Sequence, residues 1–394
     1  MQSLARVTLL GSAPAELVRM LAMLGVKAFI ADRREAAGML VIFGAATIDD
    51  HAGVPVMRMA LRTHEREYDA DFIYDSPRAA ACFILSRALG LTAPLLTADR
   101  QMFSVVRAAI AMARGPIKIV VEGETGTGKE SLVHLIQAVS GNSHGMVQLD
   151  CAALEPDRAD REMAAAIARA SAPLDGDGGN PLAPETSTVF LHRVSELTLA
   201  GQARLLDLIR PGDGRGTLRY IATSSRSLAL MGARGAFLPE LLSFFTSTLR
   251  IPPLRARRGD IPMLARHFLR SLNPKLVLSA SAVSLLSNYP FPGNLRELQN
   301  LVTRLAIAAP AGQVIGRMDV LSQLAPVDQM SLTRPSLWKM EREKPVSAIA
   351  VHALATFGNG PAGIARSPGG ASGTPIPLGA AAAKPRKPRR NRSI

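Results

Sequence analysis

Gly123-Glu124-Thr125-Gly126-Thr127-Gly128-Lys129-Glu130 is the stretch that decides the fold of this chain. It follows an apolar run, Ile117-Lys118-Ile119-Val120-Val121, that reads as a buried strand, and it leads into Ser131-Leu132-Val133-His134-Leu135-Ile136, which has helical spacing. Strand, glycine-rich turn, lysine and helix start together make a cradle for phosphate. The glycines let backbone N–H groups crowd onto phosphate oxygens, the helix start adds the positive end of its dipole, and Lys129 reaches the outer phosphates. The bland alternative is a glycine-rich turn that binds nothing; three glycines and a lysine between a strand and a helix weigh against it. Glu130 departs from the general pattern, which has there the Ser or Thr that holds magnesium.

The flanking sequence supplies a sheet for this loop. Asp99 to Ala113 reads as a helix leading into the strand before it, Met146 to Asp150 as a strand, and Arg158 to Ala172 as an alanine-rich helix. Leu174 to Glu185 is a glycine- and proline-rich loop, and Thr188-Val189-Phe190-Leu191 and Leu218 to Thr223 are compact strands. Buried strands interleaved with helices predict an α/β unit over residues 93–258, with a doubly wound parallel sheet. From Gly259 the pattern becomes helical, which predicts a small α-helical subdomain over 259–325.

Residues 1–92 alternate strand and helix signals as well, with strands expected at Ala5 to Leu10, Lys27 to Ala31, Met39 to Gly44 and Val54 to Met59, and a helix at Ala15 to Leu24. This small parallel α/β pattern resembles a response-regulator receiver domain. Receivers carry acids after the first strand and a phosphorylated Asp after the third, but here those strands end in Gly11-Ser12 and Gly44-Ala45. The expectation is a degenerate receiver-like domain that takes no phosphate and serves packing or partner contact. Residues 326–394 change composition: Leu337 to Phe357 is partly helical, interrupted by Pro345, and beyond Gly358 the chain is Gly, Ala, Pro and Ser up to a basic end. That tail is expected to be largely disordered.

Bulk composition narrows the function classes. With 47% hydrophobic residues in 394, the chain has material for two or three cores. No apolar run approaches the roughly 18–20 residues of a membrane span, and Val7 to Leu10 is too brief for a signal peptide. Cys82 and Cys151 lie far apart without metal-like spacing, so the reading is a reduced, cytoplasmic protein with no metal site and no membrane partner. The net charge of +14 points to an anionic partner. Lys384, Arg386, Lys387, Arg389, Arg390 and Arg392 concentrate positive charge at the end, either as a solvated tail or as a salt-sensitive contact with DNA.

Four motifs in order identify residues 95–325 as similar to the AAA+ domain of sigma-54-dependent transcription activators, the bacterial enhancer-binding proteins. The loop ending in Glu130 is the family's own variant. Cys151-Ala152-Ala153, the connection Pro252-Pro253-Leu254-Arg255-Ala256-Arg257-Arg258-Gly259-Asp260-Ile261-Pro262, and Tyr289-Pro290-Phe291-Pro292-Gly293-Asn294-Leu295-Arg296-Glu297-Leu298-Gln299-Asn300 follow in place. The receiver-like domain in front resembles the flagellar-regulator branch. The resemblance implies ATP or ADP bound by Gly123, Glu124, Thr125, Gly126, Thr127, Gly128, Lys129 and Glu130, with Arg296 reaching the phosphates from the helical subdomain. For Arg296 the alternative is a structural ion pair with Glu297.

The family's hydrolytic parts do not carry over. Members place an Asp that helps hold magnesium and a Glu that polarises water at the end of the strand corresponding to Val189-Phe190-Leu191; this chain has His192 and Arg193. Magnesium prefers oxygen ligands and a guanidinium accepts no proton, so no catalytic residue is assigned and magnesium binding is placed in doubt. A shifted acid, Glu196, is the bland substitute. Leu238 and Phe244 occupy the arginine-finger positions, Ser224 and Ser225 stand where Thr and Asn are usual, and the sigma-54-contacting GAFTGA loop has no counterpart within Ile167 to Asn180. Leu337 to Glu343 and Ala353 to Asn359 resemble the opening of the family's helix-turn-helix, after which Gly360, Pro361, Gly363, Pro368, Gly369 and Gly370 break any helix; decay and frameshift both account for this. Three readings follow: an ATP-binding, hydrolysis-deficient regulator acting through AAA+ homologues in a ring; an active sigma-54-dependent activator that engages sigma-54 RNA polymerase with atypical motifs; or an ATP-independent DNA-binding regulator.

Overall fold

The computed structural model describes residues 5–10, 13–30, 39–43, 56–61, 72–74, 76–113, 115, 117–140, 146–155, 157–171, 187–210, 218–309 and 314–324. The chain divides into two units, residues 1–326 and 327–394. The segments read as a helix-turn-helix opening and a basic tail, residues Gly11-Ser12 and Gly44-Ala45, and residues 172–186 lie outside the described residues.

The first sheet is built from β1 (Ala5–Leu10), β2 (Val26–Ile30), β3 (Met39–Phe43), β4 (Val56–Leu61) and β5 (Phe72–Tyr74), with α1 (Ala15–Met23) after β1 and α2 (Pro77–Ala88) after β5. Strand order is β2-β1-β3-β4-β5 and every pair is parallel. This is a doubly wound order; the sequence pattern predicts a parallel α/β domain without the order, and β5 and α2 are additions to it. Leu17, Leu21 and Leu24, spaced by four and three, bury the inner side of α1 and its end. In α2 every residue from Ala79 to Ser86 is buried, so this helix is enclosed on all sides.

The second sheet holds the glycine-rich loop. Asp99 caps α3 (Arg100–Met112) by accepting from the Met102 amide at 2.8 Å. Then come β6 (Ile119–Glu122), α4 (Lys129–Ser140), β7 (Met146–Asp150), α5 (Ala159–Ser171), β8 (Ser187–His192), α6 (Leu199–Ile209), β9 (Leu218–Ser224), α7 (Leu228–Ala233), α8 (Pro239–Phe244) and β10 (Ser247–Arg250). The order is β10-β6-β9-β8-β7, again parallel throughout. Alternation along the strands gives the sheet two dry faces. Ile119, Val121, Phe190 and Ile221 pack toward α3 and α4, while Val120, Val189, Leu191, Tyr220 and Ala222 pack toward α5, α6, α7 and α8.

Beyond Gly259 lie α9 (Ile261–Leu272), α10 (Ala280–Asn288), α11 (Asn294–Ala308) and α12 (Arg317–Leu324). The helical expectation needs one amendment: β11 (Val277–Leu278) and β12 (Val314–Ile315) form a two-stranded parallel pair among these helices. Asp260 fastens this subdomain to the start of the second sheet's unit. Its buried carboxylate accepts from Thr97 Oγ1 at 2.8 Å, the Ala98 amide at 2.7 Å and the Asp99 amide at 3.1 Å, with Arg257 3.7 Å away. Helix α2 also reaches this region: Phe83 meets His267 of α9 edge-on, with ring centroids 5.8 Å apart.

Candidate phosphate-binding site

The loop between β6 and α4 takes its shape from two glycines in the left-handed region, Gly126 at φ +78° and Gly128 at φ +99°. Its start is tied to the sheet by the Gly123 amide, which donates to Ser224 O at 3.1 Å. Lys129, the first residue of α4, turns its ammonium back and donates to Gly123 O at 2.7 Å and Glu124 O at 2.9 Å. Burial pulls this ammonium below its ordinary range. The Glu130 carboxylate opposes the shift, the nearby Arg296 charge adds to it, and Glu124 opposes it. A half-buried lysine facing a second cation is an arrangement that an anion relieves.

The helical subdomain closes directly over the loop. A Cβ on Gly126 would lie 2.4 Å from Gly293 O and 3.2 Å from Arg296 Cβ, so only glycine fits beneath the start of α11. The Leu295 amide donates to Gly126 O at 2.9 Å. Asn294, buried and at φ +54°, donates to Thr125 O at 3.0 Å and Glu124 Oε2 at 3.2 Å, and accepts from the Leu254 amide at 2.8 Å. Arg255 grips both Glu124 oxygens at 2.6 and 2.5 Å. That hydrogen bond, against the opposing effect of burial and helped by Asn294, holds the Glu124 carboxyl below its ordinary range. Arg257 donates to Thr127 O at 2.9 Å. Arg255, Arg257 and Asn294 were visible in the sequence as motif members, but their grip on the loop spans about 130 to 170 positions and has no local signal.

Arg296 is exposed on α11 beside the loop, near enough for its charge to act on Lys129. Glu297 is engaged elsewhere: it accepts from Tyr289 Oη at 3.0 Å and from the Gly293 amide at 2.7 Å. The alternative in which Glu297 anchors Arg296 therefore finds no support in this geometry. Gly123 to Glu130 and Arg296, separated by 166 positions in sequence, come together in one place.

The end of β8 carries a different chemistry. His192 Nε2 lies 3.0 Å from Glu130 Oε1, and its Nδ1 lies 3.6 Å from Asp150 Oδ1 at the end of β7. Arg193 clamps the same Asp150 with two nitrogens, Nε at 3.0 Å to Oδ1 and a terminal nitrogen to Oδ2. Partial burial pushes the Asp150 carboxyl up, but the Arg193 hydrogen bonds, the Ala152 amide and the Arg193 and His192 charges together bring it below its ordinary range. Arg193 is left-handed at φ +58°, and its amide donates to Thr223 Oγ1 at 3.0 Å. Glu196 is paired with Arg226 at 3.1 Å. Ser224 spends its hydroxyl on Arg226 O at 2.5 Å. Of the finger positions, Phe244 stacks edge-on against Tyr220 at 5.2 Å beneath the Lys118 ammonium, and the Leu238 amide donates to Gln202 Oε1 at 2.8 Å. These donors do not suit magnesium, which takes oxygen ligands in a near-octahedral shell: the strand end offers an imidazole and a guanidinium, Asp150 is gripped by Arg193, and Glu130 lies 3.0 Å from the His192 imidazole.

Residues 95–240 match the sigma-54 interaction domain, and residues 255–334 match the AAA+ ATPase lid domain. The anaerobic nitric oxide reductase transcription regulator NorR of Serratia proteamaculans (strain 568) is 34% identical over 229 residues, taking in 53% of this chain and 45% of that protein. Its counterpart from Escherichia coli O157:H7 (strain EC4115 / EHEC) is 35% identical over 219 residues, 51% of this chain and 43% of that protein. The match thus spans less than half the length of these curated relatives. Among solved structures, NtrX from Brucella abortus in complex with ATP is 18% identical, covers 90% of this chain and 94% of that one, and has a TM-score of 0.49. No described helix is long and apolar enough to cross a membrane. Residues 95–240, which contain the loop that ends in Glu130, are thus a sigma-54 interaction domain, and residues 255–334 are an AAA+ ATPase lid domain.

Proposed function

We propose that this chain is an ATP-binding transcription regulator that holds nucleotide in Gly123 to Glu130 beneath Arg296, does not hydrolyse it, and acts as a non-catalytic subunit among AAA+ homologues in a ring. The observation that carries the proposal is the end of β8, where Arg193 is hydrogen-bonded to Asp150 and His192 Nε2 lies 3.0 Å from Glu130 Oε1. Phosphoryl transfer to water needs a group that orients and deprotonates the nucleophile, and positioning with electrostatics supplies most of the catalysis. A guanidinium cannot accept that proton, and Glu196, the nearest substitute in sequence, is paired with Arg226. Leu238 and Phe244 offer no charge to a neighbouring subunit's nucleotide. The intact cradle supports binding, with Gly126 and Gly128 left-handed and Lys129 and Arg296 converging.

The deciding experiment measures ATP turnover and nucleotide binding on the same purified protein. Binding without turnover is the expected result, and turnover at the rate of active relatives overturns the proposal. A light-scattering titration against an intact homologue tests the ring: mixed oligomers that assemble with ATP support it, and two species that never associate remove it.

A further inference from the structure

The β8 end does more than lack carboxylates. Its two side chains stand against nearby carboxylates, Arg193 gripping both oxygens of Asp150 and His192 Nε2 lying 3.0 Å from one oxygen of Glu130. The Arg193 backbone is fixed in its left-handed turn from both sides, its amide on Thr223 Oγ1 and its carbonyl accepting from the Glu196 amide at 2.9 Å. We infer that this site takes a free nucleoside diphosphate or triphosphate, without the divalent cation that ordinarily accompanies it; the inference rests on the nucleotide-binding reading above.

A metal ion in such sites neutralises phosphate charge and orients phosphate oxygens. To bind Asp150 it would have to strip away a bidentate guanidinium and then sit beside the freed cation, and at Glu130 it would meet the His192 imidazole, a nitrogen ligand that magnesium does not favour. A bidentate carboxylate–guanidinium pair is among the stronger polar contacts available. Neutralisation has another source in this chain. Lys129 and Arg296 lie close enough for one charge to depress the other, and both stand at the loop where the phosphates would lie. Fixed protein cations thus take over the work of the diffusible one.

The test is equilibrium binding of fluorescent ADP and ATP analogues to the full chain, once in excess chelator and once in excess magnesium. Affinities that agree within about threefold are expected. A loss of about tenfold or more in chelator overturns this inference while leaving nucleotide binding intact. Absence of binding under both conditions overturns the nucleotide reading and this inference with it. A double variant, His192→Asp with Arg193→Glu, is expected to gain a magnesium preference of about tenfold, because it frees Asp150 and Glu130 and adds oxygen ligands. If that variant folds with an unchanged denaturation midpoint and stays indifferent to magnesium, the two side chains are not the cause and the inference falls.

Discussion

Lys129 shows how much of the site a single side chain can disclose. A lysine after three glycines reads as a phosphate ligand from sequence alone, and the half-buried ammonium pulled back onto Gly123 and Glu124 carbonyls is consistent with that reading. Lys129→Ala should weaken nucleotide binding by roughly 10- to 100-fold, since hydrogen bonds to charged groups contribute about 1.5–3 kcal/mol; calorimetric titration with ADP measures it. Gly126→Ala adds a Cβ 2.4 Å from Gly293 O at a backbone angle that disfavours it. It should therefore lift α11 off the loop and abolish measurable nucleotide binding at concentrations that saturate the parent protein. Other residues were opaque in sequence. Asp150 carries no motif, and its role appears only when β7 and β8 pair and bring Arg193, 43 positions away, onto it.

Elements of regular period were legible, and those built on long-range contact were not. Eight of the ten strands in the two large sheets were legible as apolar runs, whereas β5 (Phe72–Tyr74) and β10 (Ser247–Arg250) are short and carry no such run. The pair β11 and β12 is two residues a strand, too short for any period to register. Helix α2 is buried on every side, and it meets α9 in an edge-on ring contact of Phe83 with His267. Burial, with the charges of Arg270 and Arg87, lowers the His267 pKa from 6.5 to about 4. The unfolded chain therefore takes up a proton that the folded chain resists, so stability is lost as pH falls from 6.5 toward about 4. His267→Leu should flatten that part of the profile, as read by urea denaturation across the range. Asp260→Ala removes three hydrogen bonds and leaves Arg257 buried without its carboxylate. It should cost about 3 kcal/mol or more in the same assay.

Across the whole molecule, family and fold were visible in the sequence because four motifs keep their order along residues 95–325. Strand order completes the picture: β9 separates β6 from β8, so the loop and the altered strand end stand across one strand from each other. Sequence reasoning found the loss at His192 and Arg193 but missed that Asp150 is gripped by Arg193, because that fact belongs to packing. The pin at Asp260 has a practical bearing on how the chain can be divided. Its three donors lie in residues 97–99, at the junction with the receiver-like half, although the carboxylate belongs to the far side of the nucleotide unit. A fragment cut to begin at residue 93 keeps the clasp; one begun at residue 100, where α3 starts, leaves a buried charge without those donors. The first should express as a folded piece and the second should be cleared by protease within minutes under matched digestion.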